Sequence, residues 1–166
     1  MAVDAKVSRA FMLTELADVR ELGEQYGWDL RVRESEPHFE VTMRAHTDEL
    51  FILDVCCKNY RELPAYFEFI HPETKERGTQ RAYPFKDNGD SFFHTAPCIC
   101  APFNRKAYKF AFANAPHGDW PYGNGEWATS TANGYDWSNV SRLGDMLMVI
   151  QKRLSDPRYY NRRMAA

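Results

Sequence analysis

The chain has 166 residues, 44% of them apolar and 14% aromatic, which suits one unit over residues 1–166 with a core that needs neither disulfides nor metal. Lys and Arg number 21 against 23 Asp and Glu, a net charge of −2. That balance excludes a generic nucleic-acid binder, which requires a basic excess to neutralise phosphates. No run of about 18 apolar residues is present to span a membrane, and the start lacks the apolar stretch of a secretory signal. The four cysteines fall in two tight pairs, Cys56-Cys57 and Cys98-Ile99-Cys100, a spacing unlike a disulfide framework. A reducing cytoplasm is the expected location.

Taken in chain order, residues 7–26 place Phe11, Leu16, Val19, Leu22 and Tyr26 at helical spacing, with Glu15, Asp18, Glu21 and Glu24 outside that stripe. Gly27 stops this helix. Four short β-rich segments follow: Asp29–Arg33, Phe39–Arg44, Leu50–Cys56 and Tyr66–Ile70. Polar or Pro-bearing turns separate them, as in an antiparallel meander. Residues 91–100 read as one more short strand, leading into a helical or irregular piece over 104–112. The stretch 114–137 holds Trp120, Trp127, Trp137 and four glycines with almost no aliphatic residue, and reads as a long loop packed down by its aromatics. The last helix starts after Ser138 as N-cap, with Val140, Leu143, Leu147, Ile150 and Leu154 at steps of three and four. Lys152 and Arg153 suit its C-terminal dipole, and Asp156-Pro157 ends it. The fold class expected is α+β: an N-terminal helix, an antiparallel meander, an irregular cysteine-bearing region, a long aromatic loop and a C-terminal helix.

Three stretches resemble the ubiquitin-conjugating enzyme (UBC-like) family. The first runs through Phe51-Ile52-Leu53-Asp54-Val55, Lys58-Asn59-Tyr60 and Leu63-Pro64-Ala65-Tyr66-Phe67-Glu68-Phe69, and is similar to the family's strand, Tyr-Pro-x-x-Pro-Pro turn and following strand. The second, Ile99-Cys100-Ala101, is similar to the surroundings of the family's thioester cysteine. The third is Trp137-Ser138-Asn139-Val140 with the helix ending Leu154-Ser155-Asp156-Pro157, which resembles the segment that follows that cysteine. Together they cover roughly residues 6–160. Three departures stand out. Ala65 replaces the second proline of the pair, no His-Pro-Asn tripeptide is present (His71-Pro72 precedes Glu73, and His94 precedes Thr95), and His94 lies closer to Cys100 than the family's histidine does. The resemblance implies a divergent bacterial member. Such members travel with a ubiquitin-like protein, a ubiquitin-activating-like enzyme and a deconjugating metalloprotease, and a second conjugating-like subunit is a further possible partner.

The reactive side chains concentrate in residues 92–100. Alternation in an extended segment puts His94, Cys98 and Cys100 on one side and Ile99 on the other. In one reading Cys100 carries a thioester received from a carrier protein, because a thiolate is both a good nucleophile and a good leaving group. His94 then relays a proton, Asn104 replaces the missing amide, and Cys98 is a bystander or substitute. In a second, His94, Cys98 and Cys100 are soft ligands for zinc, with His117 or Glu126 completing the tetrahedron. In a third, both cysteines are inert core residues.

Cys56 and Cys57 read as structural, and His38 and His71 as surface residues in Pro-flanked turns. His46 has no partner evident by sequence. His117-Gly118-Asp119-Trp120 sits on a Gly-hinged loop that could gate a site. The run 158–163 mixes cations with aromatics and reads as a solvated tail packing two Tyr rings on the last helix, rather than a nucleic-acid clasp. The function these features imply is transthiolation of a ubiquitin-like protein onto Cys100 and transfer to an amine or hydroxyl. A catalytically inactive scaffold of the same fold and a small zinc-binding interaction module are the alternatives.

Overall fold

A computed structural model describes residues 3–86, 92–118, 140–158 and 160–163. Helix α1 spans Ala5–Tyr26. Asp4 caps it by accepting from Lys6 N at 2.7 Å, and Gly27 closes it in the left-handed region at φ 70°, where a side chain would be strained. Four strands follow: β1 (Asp29–Val32), β2 (His38–Arg44), β3 (Leu50–Cys56) and β4 (Tyr66–Ile70). They form one antiparallel sheet in the order β1-β2-β3-β4, as the meander reading expects.

The period of two sets the core. Phe39, Val41 and Met43 on β2 pair in register with Val55, Leu53 and Phe51 on β3, and Leu53 and Val55 pair with Phe69 and Phe67 on β4. All eight are fully buried. Helix α2 (Leu143–Ser155) supplies Leu143, Met146, Leu147, Ile150 and Leu154 to the same cluster, and α1 supplies Met12, Leu16 and Val19. The polar ends of this packing are matched as well. Trp28 donates its indole N–H to Gln151 Oε1 at 2.7 Å, and Gln151 Nε2 donates to Arg44 O at 3.0 Å.

The buried face of α1 is rotated from the expected stripe. Ser8, Met12, Glu15, Leu16, Val19 and Gly23 face inward, while Phe11 and Tyr26 stay 43% and 44% exposed. Glu15 explains the rotation. Its carboxylate accepts from Tyr60 Oη at 2.9 Å and from Leu143 N at 2.7 Å, so it caps the start of α2 from another helix. The cap expected at Ser138 lies outside the described residues, and Arg142 at the N-cap makes no side-chain capping bond.

The β3–β4 turn carries two non-glycine residues in the left-handed region, Asn59 at φ 63° and Arg61 at φ 81°. Long-range contacts hold it there. Asn59 N donates to Ser8 Oγ at 3.1 Å, and Arg61 reaches Glu15 at 3.4 Å. Arg105 Nη2 donates to Pro64 O at 2.7 Å and to Lys58 O.

The sheet's second face buries charge. Asp54 and Glu68 stand directly opposite each other on β3 and β4, an arrangement that repels unless a cation bridges it. Arg77 Nη1 does so, at 2.7 Å from Asp54 and 2.8 Å from Glu68, while Lys106 Nζ lies 2.5 Å from Glu68. His38, expected in a surface turn, opens β2 instead and sets Nε2 2.6 Å from Asp54. His46, too, has a partner: its N–H donates to Leu154 O at 3.0 Å.

Two further corrections concern the irregular half. Residues 91–100 do not run as one strand; the described part folds into a hairpin of β6 (Phe93–His94) and β7 (Cys98–Ile99), with Phe93 opposite Ile99 and His94 opposite Cys98. Pro97 at the turn, and Ala96 N donating to His94 Nδ1 at 3.1 Å, favour reversal over extension. The tail also pairs: β8 (Tyr160–Arg163) runs antiparallel to β5 (Pro84–Lys86). No helix among the described residues is long and apolar enough to cross a membrane.

Candidate active site

The β6–β7 hairpin is seated by its apolar side chains. Phe93 and Ile99 are buried, and Phe93 packs edge-on against Phe69 of β4 with ring centroids 5.6 Å apart. Cys100 follows β7 directly, its N–H donating to Phe92 O at 2.6 Å, and its side chain is partly exposed. The backbone is fixed on both sides of the thiol, so the sulfur's position depends on one rotatable bond.

Asn104 locks this segment to the sheet. Its Oδ1 accepts from Phe67 N at 2.9 Å and from Lys106 N at 3.1 Å. Its Nδ2 donates to Phe67 O at 3.1 Å and to Ile99 O at 2.8 Å. Phe67 lies on β4, the sheet's edge strand, so the carboxamide takes the place of the next strand's peptide group. Asn104 is fully buried with both ends of its amide committed. The arrangement assigns it to positioning the cysteine-bearing loop, and its N–H groups do not point to an incoming acyl oxygen.

His117 is the histidine that meets Cys100. A 3₁₀ turn over Arg105–Ala107 leads into Tyr108, which forms a parallel bridge with His117. His117 N donates to Ala107 O at 2.9 Å, Lys109 N donates to Gly118 O at 3.2 Å, and the Tyr108 ring lies 5.1 Å from the imidazole. These contacts bring His117 Nε2 to 3.2 Å from Cys100 Sγ. Burial pushes the imidazole below its ordinary value of 6.5, and the positive charge available to nearby His94 adds to the effect. His117 is therefore neutral at physiological pH and able to accept the thiol proton.

Cys98 occupies a different environment two residues earlier. It is fully buried, packs with Ala107 and Tyr108, and points its Sγ at Ile99 O at 3.4 Å. Burial, reinforced by the neighbouring Cys100 thiol, pushes its pKa up to about 12, so it is a protonated thiol at neutral pH. The hairpin thus separates the two cysteines that simple alternation placed together. No disulfide joins any of the four cysteines.

Of the residues singled out by sequence, the structure brings Cys100 and His117 into contact, sets His94 close enough to influence His117, and places Cys98 and Asn104 in the core beneath them. Glu126 and the three tryptophans of the aromatic loop lie outside the described residues. Among the described residues, no three His, Cys, Asp or Glu side chains converge as a metal would require. The sequence reading paired Cys100 with His94, its neighbour along the chain. The parallel Tyr108–His117 bridge that brings His117 to Cys100 has no strand pattern to announce it. Neither protein-family profiles nor curated proteins give a match to this chain.

Proposed function

We propose that this is a ubiquitin-conjugating-like protein of a bacterial ubiquitin-like modification system. In this reading it accepts a ubiquitin-like protein as a thioester on Cys100 and passes it to an acceptor. The observation that carries the reading is the partly exposed Cys100 thiol 3.2 Å from the His117 imidazole, at the end of a hairpin seated on a β-meander. The order of elements supports a UBC-like fold: an N-terminal helix, four antiparallel strands, a cysteine-bearing hairpin, then a helix packed on the sheet. So does the Tyr60–Phe69 stretch, whose turn is held by Glu15 from α1 and by Arg105 from the segment after the cysteine.

The chemistry follows from the pair. His117 takes the Cys100 proton, and the thiolate attacks the carrier's thioester carbonyl. The donor's thiolate leaves and is reprotonated by the imidazolium. A ubiquitin-activating-like enzyme is the donor this implies, and four cysteines without a disulfide suit a cytoplasmic setting.

The test uses ubiquitin prepared as its C-terminal mercaptoethanesulfonate thioester. The expected product is a thiol-sensitive adduct of one ubiquitin per chain, mapped to Cys100, absent from Cys100→Ala and retained by Cys98→Ala. Thermal unfolding of Cys100→Ala should match the parent protein, which separates lost chemistry from lost fold. An adduct that survives Cys100→Ala, or a wild-type protein that never forms one, overturns the reading in favour of a non-catalytic scaffold.

A further inference from the structure

We infer that the acceptor served by Cys100 is a hydroxyl group, with His117 as the base that takes its proton. This inference rests on the thioester reading above and names the acceptor class for the same site. Once Cys100 is acylated, its sulfur has no proton to share, and His117 Nε2, 3.2 Å from that sulfur, faces the acyl carbon's surroundings as an acceptor. The imidazole cannot swing away easily. Its backbone is bridged to Tyr108 and bonded to Ala107 O, and its ring lies against the Tyr108 ring.

Amine and hydroxyl acceptors place opposite demands on such a group. A lysine ammonium, with an ordinary pKa of about 10.4, must lose a proton before it attacks, and an imidazole that burial pushes below its ordinary value is far too weak a base to take it. A hydroxyl is already neutral. It is a poor nucleophile because its proton has to leave as the new bond forms, and general-base removal at that moment contributes about 10²–10⁴-fold. Among the described residues, His117 meets Cys100 after β7 and Tyr108 beyond the 3₁₀ turn and lies near His94 on β6, and none of these three is a carboxylate that would attract an ammonium.

The step balances without any further reagent. The acceptor oxygen bonds to the thioester carbonyl carbon while its proton passes to His117 Nε2. The tetrahedral adduct then collapses, the C–S bond breaks, and the electron pair leaves on Cys100 Sγ. The imidazolium returns its proton across the 3.2 Å contact, leaving an oxyester and the free enzyme thiol.

The experiment acylates the full chain with S-phenyl thioacetate, confirms acetyl-Cys100 by peptide mass, and follows its discharge to glycerol and to n-butylamine. Wild type should transfer to glycerol. His117→Ala should slow that transfer by about 10²-fold or more while changing butylamine transfer by less than about 3-fold, and added imidazole should restore glycerol transfer. Equal glycerol rates in wild type and His117→Ala overturn the inference and leave the thioester reading intact. So does an equal loss for both acceptors, or a loss that imidazole does not restore, because either marks a structural role. Failure of wild-type Cys100 to acylate overturns the thioester reading itself and the inference with it.

Discussion

Replacing Asn104 by alanine strips the amide that fastens the cysteine-bearing loop to the edge of the sheet. Four hydrogen bonds disappear, to Phe67 N, Phe67 O, Ile99 O and Lys106 N, all in a site with no exposed surface at Asn104. Ile99 O keeps a partner, because Ala101 N also donates to it at 3.1 Å. The other three backbone groups lose theirs. At about 1 kcal/mol for each bond lost, and more where a buried group is left unsatisfied, the expected destabilisation is about 3–4 kcal/mol. That is a large share of a total that is typically about 5–15 kcal/mol. Guanidinium unfolding followed by far-ultraviolet circular dichroism measures it directly, as a fall in midpoint at unchanged slope. The position of Cys100 should loosen in parallel, since the bond from Asn104 to the carbonyl of the preceding residue, Ile99, is among the four lost. A loss below about 1 kcal/mol would refute the reasoning, by showing that water or a shift of the loop satisfies the same backbone groups.

Iodoacetamide at neutral pH should alkylate Cys100 first. Cys98, buried with its pKa near 12, should react only after denaturation, and peptide mapping that finds both labelled at similar rates would contradict the separation the hairpin imposes. Acid should expose the role of the charge bridge on the sheet's second face. Burial alone raises the Asp54 pKa, but hydrogen bonds from His38 and Arg77 outweigh it and hold the carboxyl below its ordinary 3.8. Because the folded value is the depressed one, this stabilisation is present above pH 3.8 and is lost as pH falls through the lower folded value. Unfolding free energy measured from pH 6 down to pH 2 should therefore fall less steeply for Asp54→Asn than for the parent, and parallel curves would remove Asp54 from the account.

The elements most legible in the sequence are those whose periodicity is dictated by burial on one side. The meander's strands and α2 fall within a few residues of their expected bounds, because alternating Phe39, Val41 and Met43, or Leu143, Leu147, Ile150 and Leu154, leave little choice of face. The face of α1 was harder to read. A buried Glu15 is invisible to a hydrophobicity pattern, since its burial depends on Tyr60 and Leu143, which are remote in sequence. The same holds for Asp54 and Glu68, polar residues within apolar strands whose counter-charges, Arg77 and Lys106, come from outside the sheet.

At the candidate site the sequence singled out Cys100, Cys98, His94, Asn104 and His117 and put Cys100 first, on its local Ile-Cys match, with Cys98 as a bystander. Distance along the chain favoured His94 as the partner of Cys100. Tertiary geometry instead supplied His117, 17 residues away, by a bridge between two irregular segments. Asn104 was read as a donor to the reacting acyl group because of its amide. The backbone of an edge strand turned out to be a closer and better-matched partner for that amide.

The contacts made by Glu15 and Trp28 also bear on how this protein is made. Glu15 reaches Leu143 across 128 positions and Trp28 reaches Gln151 across 123, so these two side chains wait for the last helix before their hydrogen bonds are complete. Ribosomes add about 5–20 residues per second, which puts that wait at about 6–25 s. From the completion of β4 at Ile70 onward, the phenylalanine-rich inner face of the sheet has no helix α2 to cover it. The chain is thus a natural client for chaperones that shield nascent apolar surface, and a ribosome stalled before residue 143 would release a protein unable to bury its own core.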